Sequence, residues 1–216
     1  MKYPITFFFD FISPYGWLAE RNNAEIEKTT GVTIEYQPLL FAGLLGVHGT
    51  KGPAEIPAKR EFVFRDILRS AKLLGLEPKF PPTHPFNPLL PLRVTNAVPV
   101  AQRPAFAKKV FHLVWMEGKD ITSPAVLEGA AKEVGVAWPE LSARALSDEN
   151  KKALRDITET AAKRGMFGVP TYQVGNDLIW GSDRTAQIIA SAQGKLQLDE
   201  AGAQEKLARP ASAQRQ

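Results

Sequence analysis

The sequence predicts an α/β fold in two halves, βαβ and ββα, with an all-helical stretch inserted between them. Three observations carry that reading. An apolar, aromatic run at residues 5–11 leads straight into Ser13-Pro14 and a helical pattern. Residues 32–40 alternate around Val32, Ile34 and Tyr36, the period of a strand. Strand character then disappears until residues 171–174 and 178–180, which flank Gly175-Asn176-Asp177, a hairpin-turn signal.

The elements follow in order. Residues 5–11 are apolar almost throughout, as a strand buried on both faces would be. Ser is a favoured N-cap and Pro a favoured first helical residue, so a helix is predicted over 14–30, stopping at Gly31. The strand at 32–40 completes a βαβ unit. Residues 39–59 are rich in Gly and Pro (Gly43, Gly46, Gly49, Gly52, Pro53, Pro57) and read as a long loop. Helices are then predicted over 59–74, 92–101, 104–117, 123–134, 140–146 and 147–164, with a Pro-rich turn at 78–91. The late hairpin is followed by a helix over 182–192. Residues 199–216, rich in Ala, Gln, Glu and Arg, read as a frayed tail.

This is the thioredoxin topology with a helical domain inserted between its halves. The expected boundaries are 1–40 and 165–198 for the thioredoxin-like domain, 41–164 for the loop and insertion, and 199–216 for a flexible tail.

Composition excludes several functions. The chain of 216 residues is 44% hydrophobic and 23% charged, ordinary for a soluble globular protein. Its net charge of +4 comes without a Lys/Arg block, so nucleic-acid binding has little support. There is no cysteine, which removes disulfides, thiolate metal sites and Cys nucleophiles and allows a cytoplasmic location, the one expected. The N-terminus lacks a signal-peptide pattern, and no apolar run approaches the roughly 20 residues of a membrane span. His48, His84 and His112 are scattered, so no metal is expected. No dinucleotide-type glycine fingerprint follows a strand.

Ser13 is the residue with the most chemistry to offer. A helix N-terminus is electropositive and holds anions. A hydroxyl there can cap the helix, donate a hydrogen bond to an anion, or do both, since it accepts and donates at once. With no His–Asp pair nearby in sequence, acyl transfer is unsupported.

Asp10-Phe11-Ile12-Ser13-Pro14-Tyr15, Phe167-Gly168-Val169-Pro170 and Gly181-Ser182-Asp183-Arg184 resemble the 2-hydroxychromene-2-carboxylate isomerases and their relatives, the kappa-class glutathione transferases. Lys51-Gly52-Pro53, Ile56-Pro57-Ala58-Lys59 and Phe86-Asn87-Pro88-Leu89 with Arg93 fit the same pattern. The resemblance runs from about residue 5 to residue 192.

It implies a DsbA-type thioredoxin fold, a homodimer, and glutathione as cofactor. Ser13-Pro14-Tyr15-Gly16 stands where disulfide oxidoreductases have Cys-Pro-x-Cys. By the same resemblance Ser13 would stabilise glutathione's thiolate, and Val169 and Pro170, the latter cis, would pair with its cysteinyl backbone. Ser182 and Asp183 would hold the γ-glutamyl end, and Lys59 the glycyl carboxylate. Thr50 stands where relatives often carry Asn. Taken alone, Val169-Pro170 is an ordinary turn, Ser182-Asp183 a helix cap, and Lys59 a solvated surface residue.

The implied reaction is a cis–trans isomerisation interconverting 2-hydroxychromene-2-carboxylate and trans-o-hydroxybenzylidenepyruvate, in naphthalene-type catabolism. A flat aromatic carboxylate wants apolar walls and a cation. The candidate walls are Tyr15, Phe41, Phe86, Trp115 and Phe167. Asn87 is a candidate polar contact, and Lys51 and Arg93 are candidate cations. The alternatives are a kappa-type transferase or peroxidase, and an inert thioredoxin-fold binding protein.

Overall fold

The computed structural model describes residues 2–196 and 198–210. Strand β1 (Ile5–Phe9) leads into helix α1 (Pro14–Thr30), and β2 (Ile34–Pro38) returns parallel to β1. Helices α2 (Phe41–His48), α3 (Pro57–Leu73), α4 (Leu89–Ala97), α5 (Arg103–Phe111), α6 (Pro124–Glu133), α7 (Trp138–Leu146) and α8 (Asp148–Lys163) follow. Then come β3 (Thr171–Val174), β4 (Asp177–Trp180), α9 (Thr185–Ala192) and α10 (Glu200–Leu207). The sheet order is β2-β1-β3-β4. β3 runs antiparallel to both β1 and β4. The βαβ and ββα halves predicted from sequence share this one sheet.

The sheet is held by aromatic packing across neighbouring strands. Phe7 faces Tyr36 on one side and Tyr172 on the other, with ring centroids 5.3 Å and 4.9 Å away. Such pairs stabilise a sheet beyond the area they bury. The two tyrosines carry polar tips that need partners once buried. Tyr172 donates to Asn23 Oδ1 at 2.6 Å, Asn23 Nδ2 donates to the Tyr36 hydroxyl at 2.8 Å, and Tyr36 donates to Glu20 at 3.3 Å. This chain of bonds fixes α1, which carries Asn23 and Glu20, to the sheet in one rotational setting.

The stretch at 39–59, expected as a loop, contains α2 and a 3₁₀ turn at Pro53–Glu55. Its glycines reflect packing rather than irregularity. A Cβ on Gly43 would lie 2.7 Å from the Thr158 methyl, so α2 seats on α8 only with glycine there. Leu44 is buried in a second core with Phe8, Leu39, Ala161, Ala162, Met166 and Val169.

Three other expectations change. The helix after the hairpin starts at Thr185, with Arg184 at the N-cap, so Ser182-Asp183 form the preceding turn. The helix predicted at 92–101 is α4, Leu89–Ala97. The tail contains α10, which buries no side chain. The rest of the expected tail, residues 211–216, lies outside the described residues.

Candidate functional site

The end of β1 and the start of α1 are fixed by an unusually complete set of bonds to one loop. Trp115 Nε1 donates to Phe11 O at 3.1 Å. Ile12 N donates to Asp10 Oδ1 at 3.0 Å, and Ser13 N to Asp10 O at 3.1 Å. His84 Nε2 lies 3.0 Å from Ile12 O. A carbonyl only accepts, so His84 must carry its proton on Nε2. Its Nδ1 is then a bare acceptor, buried without a partner. Burial lowers the His84 pKa, in the direction of this neutral form.

Ser13 is buried and occupies the N-cap of α1. Its Oγ accepts from Gly16 N at 3.2 Å and donates to Val169 O at 3.3 Å. The capping role expected of this hydroxyl is therefore seen, and its proton is bonded to a backbone carbonyl rather than to an anion. The Val169–Pro170 bond is cis, the isomer the family resemblance implies; His84–Pro85 is also cis. Val169 is buried, yet its N–H makes no hydrogen bond among the described residues. An unpaired N–H beside a helix N-terminus fits an extended peptide that accepts one hydrogen bond and carries an anion.

Tyr15 follows in the first turn. Its hydroxyl donates to Asp66 Oδ2 on α3 at 2.9 Å. Burial, Asp66 and the nearby Asp183 all push the phenol's pKa upward. Its proton is committed to a carboxylate, so Tyr15 can offer an apolar ring and an acceptor oxygen but no proton.

The family model of the DSBA-like thioredoxin domain matches residues 4–209. The chain belongs to that family. It is 29% identical, over 89% of its length and 95% of the other protein's, to a 2-hydroxychromene-2-carboxylate isomerase of Pseudomonas putida. It is 27% identical to glutathione S-transferase kappa 1 of Rattus norvegicus, over 82% of this chain and 85% of that one. The solved structure of a 2-hydroxychromene-2-carboxylate isomerase superposes with a TM-score of 0.77 at 25% identity, covering 95% of this chain and 99% of the other.

Of the residues named from sequence, the fold brings Ser13, Tyr15, Val169, Pro170 and Asp183 to one end of α1. Ser182 is tied to α1 through its carbonyl, which accepts from Asn22 Nδ2 at 3.2 Å. Asp183 pairs with Arg184 at 3.3 Å. Neither caps α9, so the capping explanation for this pair fails. Lys59 is exposed in the first turn of α3, on the flank that Asp66 shares. Thr50 and Lys51 are exposed between α2 and the 3₁₀ turn.

The remaining candidates occupy varied places. Trp115 is fully buried, and its indole holds the Phe11 carbonyl, so it is no wall for a ligand. Asn87 Oδ1 accepts from Leu89 N at 3.0 Å, a local bond at the start of α4. Phe167 is exposed and packs on Trp180, 5.1 Å between centroids. Arg93 sits on α4 with its Nε buried and unpartnered. Phe86 is half-buried, 6.4 Å from His84. Phe41 is half-buried against the second core.

Sequence reasoning missed Asp10, His84 and Asp66. Asp66 lay on the flank of α3 already marked by Lys59, and that shared face was the available signal. An open cavity of about 510 Å³ lies along the opposite flank, lined by Pro57, Arg60, Glu61 and Phe64 among others. It contains none of the candidate residues. Among the described residues no three His, Cys, Asp or Glu side chains form a metal-binding group, and no helix is long and apolar enough to cross a membrane.

Proposed function

We propose that this protein is a glutathione-dependent isomerase of a flat aromatic hydroxy acid. The 2-hydroxychromene-2-carboxylate and trans-o-hydroxybenzylidenepyruvate pair, an intermediate step of naphthalene-type catabolism, is the substrate of choice. The observation that carries this is the Ser13 hydroxyl at the α1 N-terminus, 3.3 Å from the carbonyl of Val169, whose own N–H is unpaired.

Glutathione supplies a nucleophile that can add to a conjugated carbon, turn the double bond single so that it rotates, and leave unchanged. The chain's own residues do the rest. Ser13 donates a hydrogen bond to the thiolate sulfur while keeping its proton, and the helix N-terminus adds a favourable field; both lower a thiol's pKa. The proton must first leave Val169 O, which then becomes free to accept from the ligand's peptide N–H, while Val169 N–H donates to its carbonyl. Ser182 and Asp183 take the γ-glutamyl end and Lys59 the glycyl carboxylate. Tyr15 and Phe86 wall the aromatic substrate, and Lys51 or Arg93 meets its carboxylate. Asp66 keeps the Tyr15 proton away from the sulfur, leaving Ser13 as its hydroxyl donor. The expected assembly is a cytoplasmic homodimer.

The test is spectroscopic. The chromene carboxylate should interconvert with its ring-opened partner only when glutathione is present, with no fall in total glutathione. Steady consumption of glutathione would point to transferase chemistry instead. Absence of glutathione binding in calorimetry would exclude both.

A further inference from the structure

Resting on the reading that the Ser13 loop receives a thiolate, we propose that Asp10 is the positioning residue of the site. Its one buried carboxylate ties the Ser13 loop to α2, so that Ser13 and the segment leading to Thr50 and Lys51 are set as a unit.

The argument begins with burial. Asp10 is fully buried, and among the described residues it has no cationic partner within ion-pair distance. A carboxylate in that position is tolerated only if its oxygens are hydrogen-bonded. Both are: Oδ1 accepts from Ile12 N and Oδ2 from Phe41 N, each at 3.0 Å. Two N–H groups converge on one side chain, and a carboxylate is the short side chain with an acceptor on each branch and no donor.

Phe41 is the first residue of α2, and α2 lacks a cap of its own. Leu40 occupies its N-cap and has no side-chain acceptor. The first N–H of a helix needs a partner from elsewhere, and Asp10 provides it from the end of β1. At its other end, α2 reaches the second half of the site, because His48 Nε2 lies 2.8 Å from Met166 O, just before Val169. Thus α2 is anchored to the Ser13 loop through Asp10 and to the Val169 loop through His48. Both Asp10 oxygens face backbone N–H groups and neither contacts Ser13 Oγ, so the carboxylate acts through the loop rather than by taking a proton from the ligand.

The experiment uses the full chain and reads amide hydrogen exchange without added thiol, together with glutathione calorimetry. Asp10→Asn places an NH₂ against one of the two N–H donors. Above about pH 8, where Asp10 is ionised, exchange should quicken about tenfold, the scale of a lost charge-assisted bond, in both 10–13 and 41–48, while 124–133 in α6 stays unchanged. The glutathione Kd should rise by about the same factor.

A second pair of variants isolates the tie. Phe41→Pro removes only one donor N–H, at a helix position that suits Pro, after a residue already extended at φ −89°, ψ 108°. Phe41→Ala controls for the lost ring. Relative to Phe41→Ala, Phe41→Pro should speed exchange across the tie at 10–13, and Asp10→Asn should add little in the Phe41→Pro background. Equal exchange at 10–13 in the two Phe41 variants, or loosening by Asp10→Asn confined to one segment, would overturn the proposal. Wild-type protein that fails to bind glutathione would defeat the functional reading, while the exchange pattern would still decide whether Asp10 joins the two segments.

Discussion

Ser13→Ala separates a cap from a thiolate donor. The hydroxyl accepts from Gly16 N at 3.2 Å and donates to Val169 O at 3.3 Å. Losing an N-cap costs about 0.5–2 kcal/mol, and the long bond to Val169 adds at most about 1 kcal/mol. For a chain of this size each kcal/mol moves Tm by about 2–4 °C, so a fall of about 1–12 °C is expected. The effect on bound glutathione is of another kind. A hydrogen bond to a charged acceptor contributes about 1.5–3 kcal/mol, and 1.36 kcal/mol corresponds to about one pKa unit. The bound thiol's pKa should therefore rise by about 1–2 units. The assay is a pH titration of thiolate absorbance in the glutathione complex, set beside thermal unfolding. Ser13→Thr, which keeps the hydroxyl, should restore the low thiol pKa. If Ser13→Ala lowers Tm while the thiol pKa stays where it was, Ser13 is a cap and the catalytic reading fails.

Burial raises Asp10 to about 7 against an ordinary 3.8. A raised folded-state value means that the folded chain holds this proton more tightly, so the associated stability is full below about pH 4 and is lost as pH rises through about 7. The lost amount is of order 4 kcal/mol; chemical denaturation of Asp10→Asn should show a stability advantage over wild type that grows from pH 4 to pH 8, even as the variant's site loosens. Tyr15→Phe should leave turnover within about threefold and cost about 1 kcal/mol of stability, because the phenol proton serves Asp66; a hundredfold loss of turnover would contradict the assignment. Gly43→Ala should cost about 1–3 kcal/mol in a denaturant melt, because its Cβ would meet the Thr158 methyl at 2.7 Å. Glutathione protection against thermal unfolding should weaken in the same variant, since α2 leads to Thr50 and Lys51.

The parts of this fold that are legible in the sequence are those with local causes. The aromatic run into Ser13-Pro14 announces β1 and α1 because strand burial, N-cap and first-turn proline act within a few residues of one another. The Gly175-Asn176-Asp177 turn announces β3 and β4 for the same reason. Helix α2 was hidden because its determinants lie far off in sequence: Asp10 supplies its first acceptor and Thr158 dictates Gly43. Asp66 offered only the α3 face it shares with Lys59, because its partner Tyr15 lies far off in sequence on α1. Ser182 misled because Ser is a good N-cap in general, while here the chain turns once more before α9 begins. Trp115 looked like a wall because aromatic spacing on a helix does not say whether the ring faces a ligand or a carbonyl of β1's end.

The Ser13 proton has one owner and two takers, and that fact links the halves of the site. Its bond to Val169 O, at 3.3 Å, is longer than the usual O–H···O separation of about 2.7–2.8 Å, so little is lost on releasing it. A thiolate at the α1 N-terminus is a charged acceptor and forms the stronger bond. Turning the Ser13 hydroxyl from Val169 O to sulfur leaves the Val169 carbonyl unsatisfied in a buried position, a cost that a ligand peptide N–H cancels. A thiol without a peptide arm would leave that carbonyl bare, and a peptide without sulfur would find it already engaged. The geometry thus favours a single molecule carrying both groups, with sulfur and amide a few bonds apart. Glutathione's cysteinyl residue has that spacing. With a cysteine at position 13 the protein would hold its own sulfur and have no such requirement; on the proposed reading, the serine leaves that sulfur to be supplied by the ligand.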